Sequence, residues 1–448
     1  MDILSLIPQF GNTLLVVIAF VVALSVIVAI HEYGHYIVGR WSGIHAEVFS
    51  LGFGPVLWSR HDKRGTKWQI AAIPLGGYVR FMGDANAASG KDGEAIAAMD
   101  EDQRRHTIHG APLWARAATV AAGPLFNFAL SILVFAAVLL SRGEIGDKLV
   151  IGQLRDLPVQ GVTLQEGDEV RGIAGIALPG FDDDEAFSEF SKALPIQPLL
   201  PYDVLRDGQE MTVDGPYLYP PHVLSLAPQS SAYNINMKVG DVITAIDGQP
   251  VTAFSELKEA VEGSDGRVLL LDVWRDGETL EFALAPRRVD EPQTDGGFKT
   301  HWRIGIGGGL AFEPATVTPG IGDAIWGGVA QTGRIIQGSV SGLYHMVTGA
   351  ISSCNLSGPI GIAQTSGAMA SQGTASFIWF IAVLSAAIGL LNLFPIPMLD
   401  GGHLVFYAYE AVAGKPPSDG ALRVLMTLGL FIVGSLMIFG LTNDMFCP

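Results

Sequence analysis

The sequence predicts a multi-pass α-helical membrane protein. It should have four transmembrane helices and two tandem β-rich domains between the second and third. Three observations lead there. Of the 448 residues, 49% are hydrophobic and only 16% charged, and the mean hydropathy is +0.36, more apolar than a soluble chain of this length. Four stretches, 3–30, 117–140, 376–394 and 424–441, are long and apolar enough to cross a bilayer, which takes roughly 20 residues. The polar middle of the chain repeats itself, as a duplicated domain would.

Taken in order, the first element is a transmembrane helix over 1–40 that ends in HEYGH (residues 31–35). No Lys or Arg precedes its apolar run and no small-residue cleavage site follows, so it reads as a retained helix rather than a removed leader. A loop over 41–112 comes next, carrying a β region. It holds Arg40, Arg60, Lys63, Arg64, Lys67, Arg80, Lys91, Arg104, Arg105 and Arg116 within it or at its flanks, and basic residues near span ends favour the cytoplasm. The second transmembrane helix covers 113–141. The β-rich domains cover 145–218 and 219–290, and 291–375 is a linker with a Gly-rich amphipathic segment that would lie in the membrane interface. The third helix is 376–394, a loop with an LDG motif fills 395–421, and the fourth helix is 422–441. Four crossings return both termini to one side and put the middle domains there too. The net charge of −17 argues against a nucleic-acid partner. Cys354 and Cys447 stand far apart and suggest no disulfide framework.

The repeat is readable residue by residue. QEGDEVRGIAG (165–175) parallels KVGDVITAIDG (238–248), and VLRDGQ (204–209) parallels VWRDGE (273–278). In the second copy, alternation in VITAIDGQPV breaks at Asp247-Gly248, a hairpin signal. SELKEAVEG has helical spacing, and two strands flank another Asp-Gly. This pattern resembles PDZ domains, which bind peptide C-termini by strand addition. The second copy fits more closely. The first has Ala174 where Asp or Asn is expected and carries an acidic insert, FDDDEAFSE.

HEYGH carries the chemistry. On a helix, residues i and i+4 share a face, so His31 and His35 can reach one metal ion. Glu32 beside them can take a proton from the attacking water. That is the H-E-x-x-H logic of a zinc hydrolase, and two imidazoles leave room for a third protein ligand and a water. Ionisable groups at membrane depth are costly and mark function. The bland reading is two histidines at a headgroup boundary, which gives Glu32 no reason to face apolar surroundings.

The third ligand is sought downstream, in NLFPIPMLDGGH (392–403). Two prolines end an apolar helix, and Asp400 stands before Gly401-Gly402. Asp400 is the preferred ligand, with His403 as competitor and an Asp-Gly turn outside the membrane as the alternative. A non-catalytic membrane scaffold with a structural, four-ligand metal site is the second functional class, and His403 as fourth ligand would favour it. A metal transporter would need more ligands in the spans, and the second and fourth hold no Asp, Glu or His.

HEYGH at the first span, GP-x-x-N (Gly123, Pro124, Asn127) in the second, the PDZ-like pair and N-x-x-P-x-P-x-L-D-G together resemble the site-2 protease family of intramembrane zinc metalloproteases, over essentially the whole chain. The resemblance implies His31, His35 and Asp400 as zinc ligands, Glu32 as general base, and Asn392 beside the active site to position unwound substrate, with Asn127 family-associated. It implies a bacterial inner-membrane enzyme with the active site near the cytoplasmic side. The PDZ-like pair, in the periplasm, would admit only trimmed substrates. Those would be single-span membrane proteins such as an anti-sigma factor, or remnant signal peptides. The stretch 47–84 resembles the family's membrane-associated β-hairpins, where Gly76 and Gly77 mark an edge able to pair with substrate.

Overall fold

A computed structural model describes residues 10–84, 93–180, 183–293 and 297–447. Residues 3–9 of the first predicted span, 85–92 of the first loop, 181–182 of the acidic segment and 294–296 of the predicted linker lie outside the described residues. The chain divides into two compact units, 1–138 with 321–448, and 139–320.

In the first unit, four helices among the described residues are long and apolar enough to cross a membrane: Thr13–Trp41, Leu113–Arg142, Thr374–Asn392 and Asp419–Phe446. HEYGH does not end the first of them. The helix continues to Trp41, because nothing in YIVGRW after His35 breaks it; chain reversal comes only at Gly43, which has positive φ. The predicted 395–421 loop is largely a helix, Asp400–Ala413. A Cβ at Gly401 would overlap the Leu393 and Phe394 carbonyls, and one at Gly402 would lie 2.8 Å from Pro397 Cα. The two glycines let the first helical turn sit on the preceding turn of chain. The Gly-rich segment is also helical, Ile321–Val347. It lays Ala324, Gly328 and Thr332 inward and leaves Ile325, Trp326 and Tyr344 exposed.

Between the first two spans, strands Ala46–His61 and Lys67–Phe81 pair in more than one register. Residues 46–51 meet 77–81, 48–51 also meet 67–70, and 56–61 meet 67–71. Phe53, Val56, Leu57, Trp58, Ile70, Ile73 and Leu75 are exposed along it, a contiguous apolar set of the kind that marks an interaction surface.

The two cysteines are a correction. Cys354 and Cys447 form a disulfide across 93 residues of sequence. The pair is invisible in sequence because a fold, not a spacing, brings it together. Around it, Asp444 accepts the Gly358 and Ile360 N–H groups at 2.8 and 2.9 Å. Asn443 Nδ2 donates to the Ser353 carbonyl at 2.7 Å. A half-buried carboxylate on the first N–H groups of helix Pro359–Ser371 is a cap supplied by another helix.

The second unit contains the repeat. Its two four-stranded sheets have matching order. In one, Glu169–Ile173 lies between Ile176–Ala177 and Leu199–Arg206, which pairs on with Gln209–Pro216. In the other, Val242–Ile246 lies between Gln249–Pro250 and Leu269–Arg275, which pairs on with Glu278–Leu284. The repeated motifs have a physical reason. The Asp of each GD pairs with the Arg of each RDG: Arg206 with Asp168 and Arg275 with Asp241, each through two nitrogens at 2.6 and 2.7 Å. Both carboxylates are buried. The supposed insert is instead the helix Asp184–Ala193, capped by the Asp183 side chain on the Ala186 N–H. It occupies the place of Phe254–Glu262 in the second copy. The first part of the predicted linker is not a linker either. Ile306–Gly307 pairs with Ser225–Leu226, and Phe312–Pro314 pairs with Ile151–Leu154, so the chain returns through both modules. Phe312 is fully buried in the first module's core.

Candidate metal centre

Three ligand atoms converge. His31 Nε2 and His35 Nε2 are 3.2 Å apart. Asp400 brings Oδ2 to 3.1 Å from the first and Oδ1 to 3.5 Å from the second. Among the described residues these three side chains are the one group of His, Cys, Asp and Glu that could hold a metal ion, their ligand atoms all within 4.8 Å of one another. His403 is not in it, although it lines the same cavity.

The surroundings fix which lone pairs point inward. His35 Nδ1 donates to the Thr119 carbonyl at 2.9 Å, so its Nε2 is left as an acceptor. His31 Nδ1 lies 3.3 Å from the Asn127 amide. Asn127 Oδ1 is buried without a partner. With the amide turned over, Oδ1 accepts the His31 Nδ1–H and Nε2 is left free to face Asp400. Asp400 Oδ2 is also buried with no hydrogen-bond partner, despite its 3.1 Å approach to His31. Two imidazole acceptors and an orphaned carboxylate oxygen facing one another repel unless a cation sits among them. A His₂Asp set with these separations fits zinc.

Glycines make the approach possible. A Cβ at Gly34 would meet the Ala122 carbonyl oxygen at 2.5 Å, and one at Gly123 would lie 2.5 Å from His35 Cε1 and 2.8 Å from His31 Cε1. The GP-x-x-N motif thus presents bare backbone to the two rings and, one turn on, the Asn127 amide. Asp400 arrives after Met398, whose φ of +89° is unusual for a residue with a side chain; strain of this sort collects at functional sites.

A cavity of about 440 Å³ contains the three side chains and also Glu32, Gly77, Tyr78, Asn392, Met398, His403 and Tyr407. Gly77 is held tightly to the HEYGH helix: a Cβ there would come 3.1 Å from Glu32 Cγ. Gly76 instead packs against the Phe53 ring and is not among the lining residues. His109 lines the cavity too, its Nε2 3.2 Å from the buried Asp84. Sequence reasoning passed over Thr119, Met398, Asp84 and His109. The first acts through a backbone carbonyl, which any residue type supplies, Met398 stands at a variable position of the LDG motif, and Asp84 and His109 belong to no motif.

Residues 19–436 match the sequence profile of Peptidase family M50. The chain belongs to that family. A protein of Agrobacterium fabrum provisionally named a zinc metalloprotease is 36% identical over 96% of this chain and 95% of its own. The regulator of sigma-E protease RseP of Salmonella typhimurium is 32% identical over 95% of this chain and 97% of its own. This M50 member is therefore a membrane zinc metalloprotease of the site-2 type.

Proposed function

We propose that this M50 protease cuts single-span membrane proteins at bilayer depth, with His31, His35 and Asp400 holding zinc and Glu32 as general base. The observation that carries the reading is the set of inward-facing acceptor atoms, two of them on a helix apolar enough to span the membrane and the third at the start of helix 400–413. Zinc held there supplies Lewis-acid polarisation of the scissile carbonyl and a lowered pKa for water. Glu32, lining the same cavity, takes a proton from the attacking water and returns it to the leaving amine. Asn127 and Thr119 hold the imidazoles in the tautomer this requires.

A helical substrate hides its carbonyls in its own hydrogen bonds and must unwind. Among the described residues, 77–81 pairs only with 46–51. Its other side offers backbone partners to an unwound chain, Gly77 lies next to Glu32, and Asn392 positions the peptide. Gly76 supports this edge through Phe53. The exposed apolar residues of the hairpin sit in lipid. The two repeated modules are PDZ-like domains that hold peptide C-termini and admit substrates already trimmed outside the membrane. The name of the Salmonella relative suggests a pre-trimmed anti-sigma factor as substrate, with remnant signal peptides as a second class. We place the enzyme in the bacterial inner membrane, with its PDZ-like domains periplasmic. The basic 40–116 region supports a cytoplasmic side there. The Cys354–Cys447 disulfide supports an oxidising compartment at the far end of helix 419–446.

The test is Glu32→Gln in purified protein, with bound zinc and cleavage of a trimmed single-span substrate measured beside wild type. Retained zinc with cleavage reduced at least 10³-fold is expected, a loss in line with removal of a general base. Cleavage at the wild-type rate would sink the mechanism.

A further inference from the structure

Two of the three ligands have an evident support on helix 113–142: Thr119 for His35 and Asn127 for His31. Asp400 has none of its own. It opens helix 400–413, whose N-cap is Leu399 with no side-chain cap hydrogen bond, and its Oδ2 has no hydrogen-bond partner. Its position is set by where its helix lies.

That helix is gripped at its other end. Asp400, His403, Tyr407 and Glu410 follow at intervals of three and four and share a face, and the first three line the cavity. Glu410 accepts two hydrogen bonds from Arg116, Nη1 to Oε2 at 3.0 Å and Nη2 to Oε1 at 2.6 Å. Both side chains are largely buried, 14% and 16% exposed. The guanidinium lies over the Tyr407 ring, 5.2 Å from its centre, and Nε donates to the Ala111 carbonyl at 3.1 Å. This is a planar fork in fixed geometry, unlike a surface ion pair. Arg116, Thr119, Gly123 and Asn127 are themselves spaced by three and four along one face of helix 113–142. The same stripe that steadies the two histidines ends in the residue that holds the Asp400 helix.

We infer that Arg116 and Glu410 are positioning residues for the metal ligand Asp400, so that one face of helix 113–142 aligns the whole ligand set. The inference rests on the reading of His31, His35 and Asp400 as the zinc ligands. Neither residue touches the metal or the reacting atoms.

The experiment measures zinc affinity of the purified full-length protein by competition with a chelator, alongside kcat and KM on the trimmed substrate. The variants are Glu410→Gln, Arg116→Lys, the exchanged pair R116E/E410R, and Asp400→Ala. Glu410→Gln removes the charge. Arg116→Lys keeps charge but not the fork. Both are expected to weaken zinc binding about tenfold, the lower end for loss of an outer partner of a metal ligand. At limiting zinc, kcat should fall with KM unchanged, and excess zinc should restore it. The exchanged pair should recover at least part of the affinity. If Arg116→Lys and Glu410→Gln bind zinc as wild type does while Asp400→Ala loses it, the positioning role is wrong and the ligand reading stands. If Asp400→Ala keeps its zinc, the ligand reading itself fails.

Discussion

The sharpest handle on the metal centre is a glycine. Gly123 lies where helix 113–142 presses its backbone against both imidazoles, and a Cβ built on it would stand 2.5 Å from His35 Cε1 and 2.8 Å from His31 Cε1. Ordinary contacts begin at 3.4 Å, and the His35 Nε2 atom lies closer still to the added methyl than Cε1, so in Gly123→Ala the His35 ring must retreat by about 1 Å or the helices must part by as much. Misplacement of about 1 Å in a catalytic constellation costs on the order of 10²-fold. The same substitution favours the helix itself by up to about 1 kcal/mol, because alanine loses less backbone entropy than glycine. Fold stability and site integrity should therefore move in opposite directions. Zinc content by mass spectrometry and initial cleavage rate read the site, and thermal unfolding reads the fold. We expect substoichiometric zinc, cleavage about 10²-fold slower, and a melting temperature no lower than that of the equally demetallated wild type. Gly434→Ala, with open space around its added methyl, should leave zinc and rate unchanged. A Gly123→Ala protein with full zinc and a rate within threefold of wild type would refute the packing argument.

Two further predictions concern the repeated modules. Burial pushes the Asp168 carboxyl upward, but hydrogen bonds from Arg206 and the Gln165 N–H, with the Arg206 charge, outweigh it and hold its pKa below the ordinary value. A group depressed on folding contributes stability above its unfolded pKa, about 3.9, and loses it as pH falls through the folded value. Asp168→Asn should cost the module about 3 kcal/mol at pH 7. The gap to wild type should close below about pH 4, read as hydrogen exchange of the 165–216 amides; a gap unchanged from pH 7 to pH 3 would contradict the ion-pair account. Ala174 sits in the left-handed region at φ +54°, where the second copy places Asp247 at +50°. Ala174→Asn should stabilise the module by about 1 kcal/mol, and a destabilised variant would show that the turn tolerates no added side chain.

What was legible in the sequence was periodic or duplicated. HEYGH could be placed on a helix face because 3.6 residues per turn brings 31 and 35 together. The four spans followed from length and apolarity. The GD and RDG motifs stood out because each copy needs the same buried Asp–Arg pair. What was misread had a local reason. FDDDEAFSE looked like an insert since acidic residues suggest solvent, yet Asp183 is an N-cap and carboxylates favour a helix start. The 395–421 segment looked like a loop since two prolines open it, yet a helix starts at Asp400, with Gly401 and Gly402 in its first turn against the carbonyls of 393, 394 and 396. The strands of 306–314 looked like linker because each is two or three residues long, and their partners lie 80 or more residues away in sequence. No window of sequence carries that pairing. The choice between Asp400 and His403 needed distances, and the Arg116–Glu410 fork, 294 residues apart, needed the folded chain.

The disulfide carries one more consequence. Cys354 precedes helix 359–371 and Cys447 follows helix 419–446, so the two sulfurs meet only when the end of the last long helix has come back beside the 353–355 turn. On the topology proposed above, a molecule in which helix 419–446 alone inserted upside down, or not at all, would strand one cysteine across the bilayer from the other. The bond is thus a permanent chemical record that assembly was completed, written once and carried by each correctly built molecule. Two free thiols mark the molecules that were not.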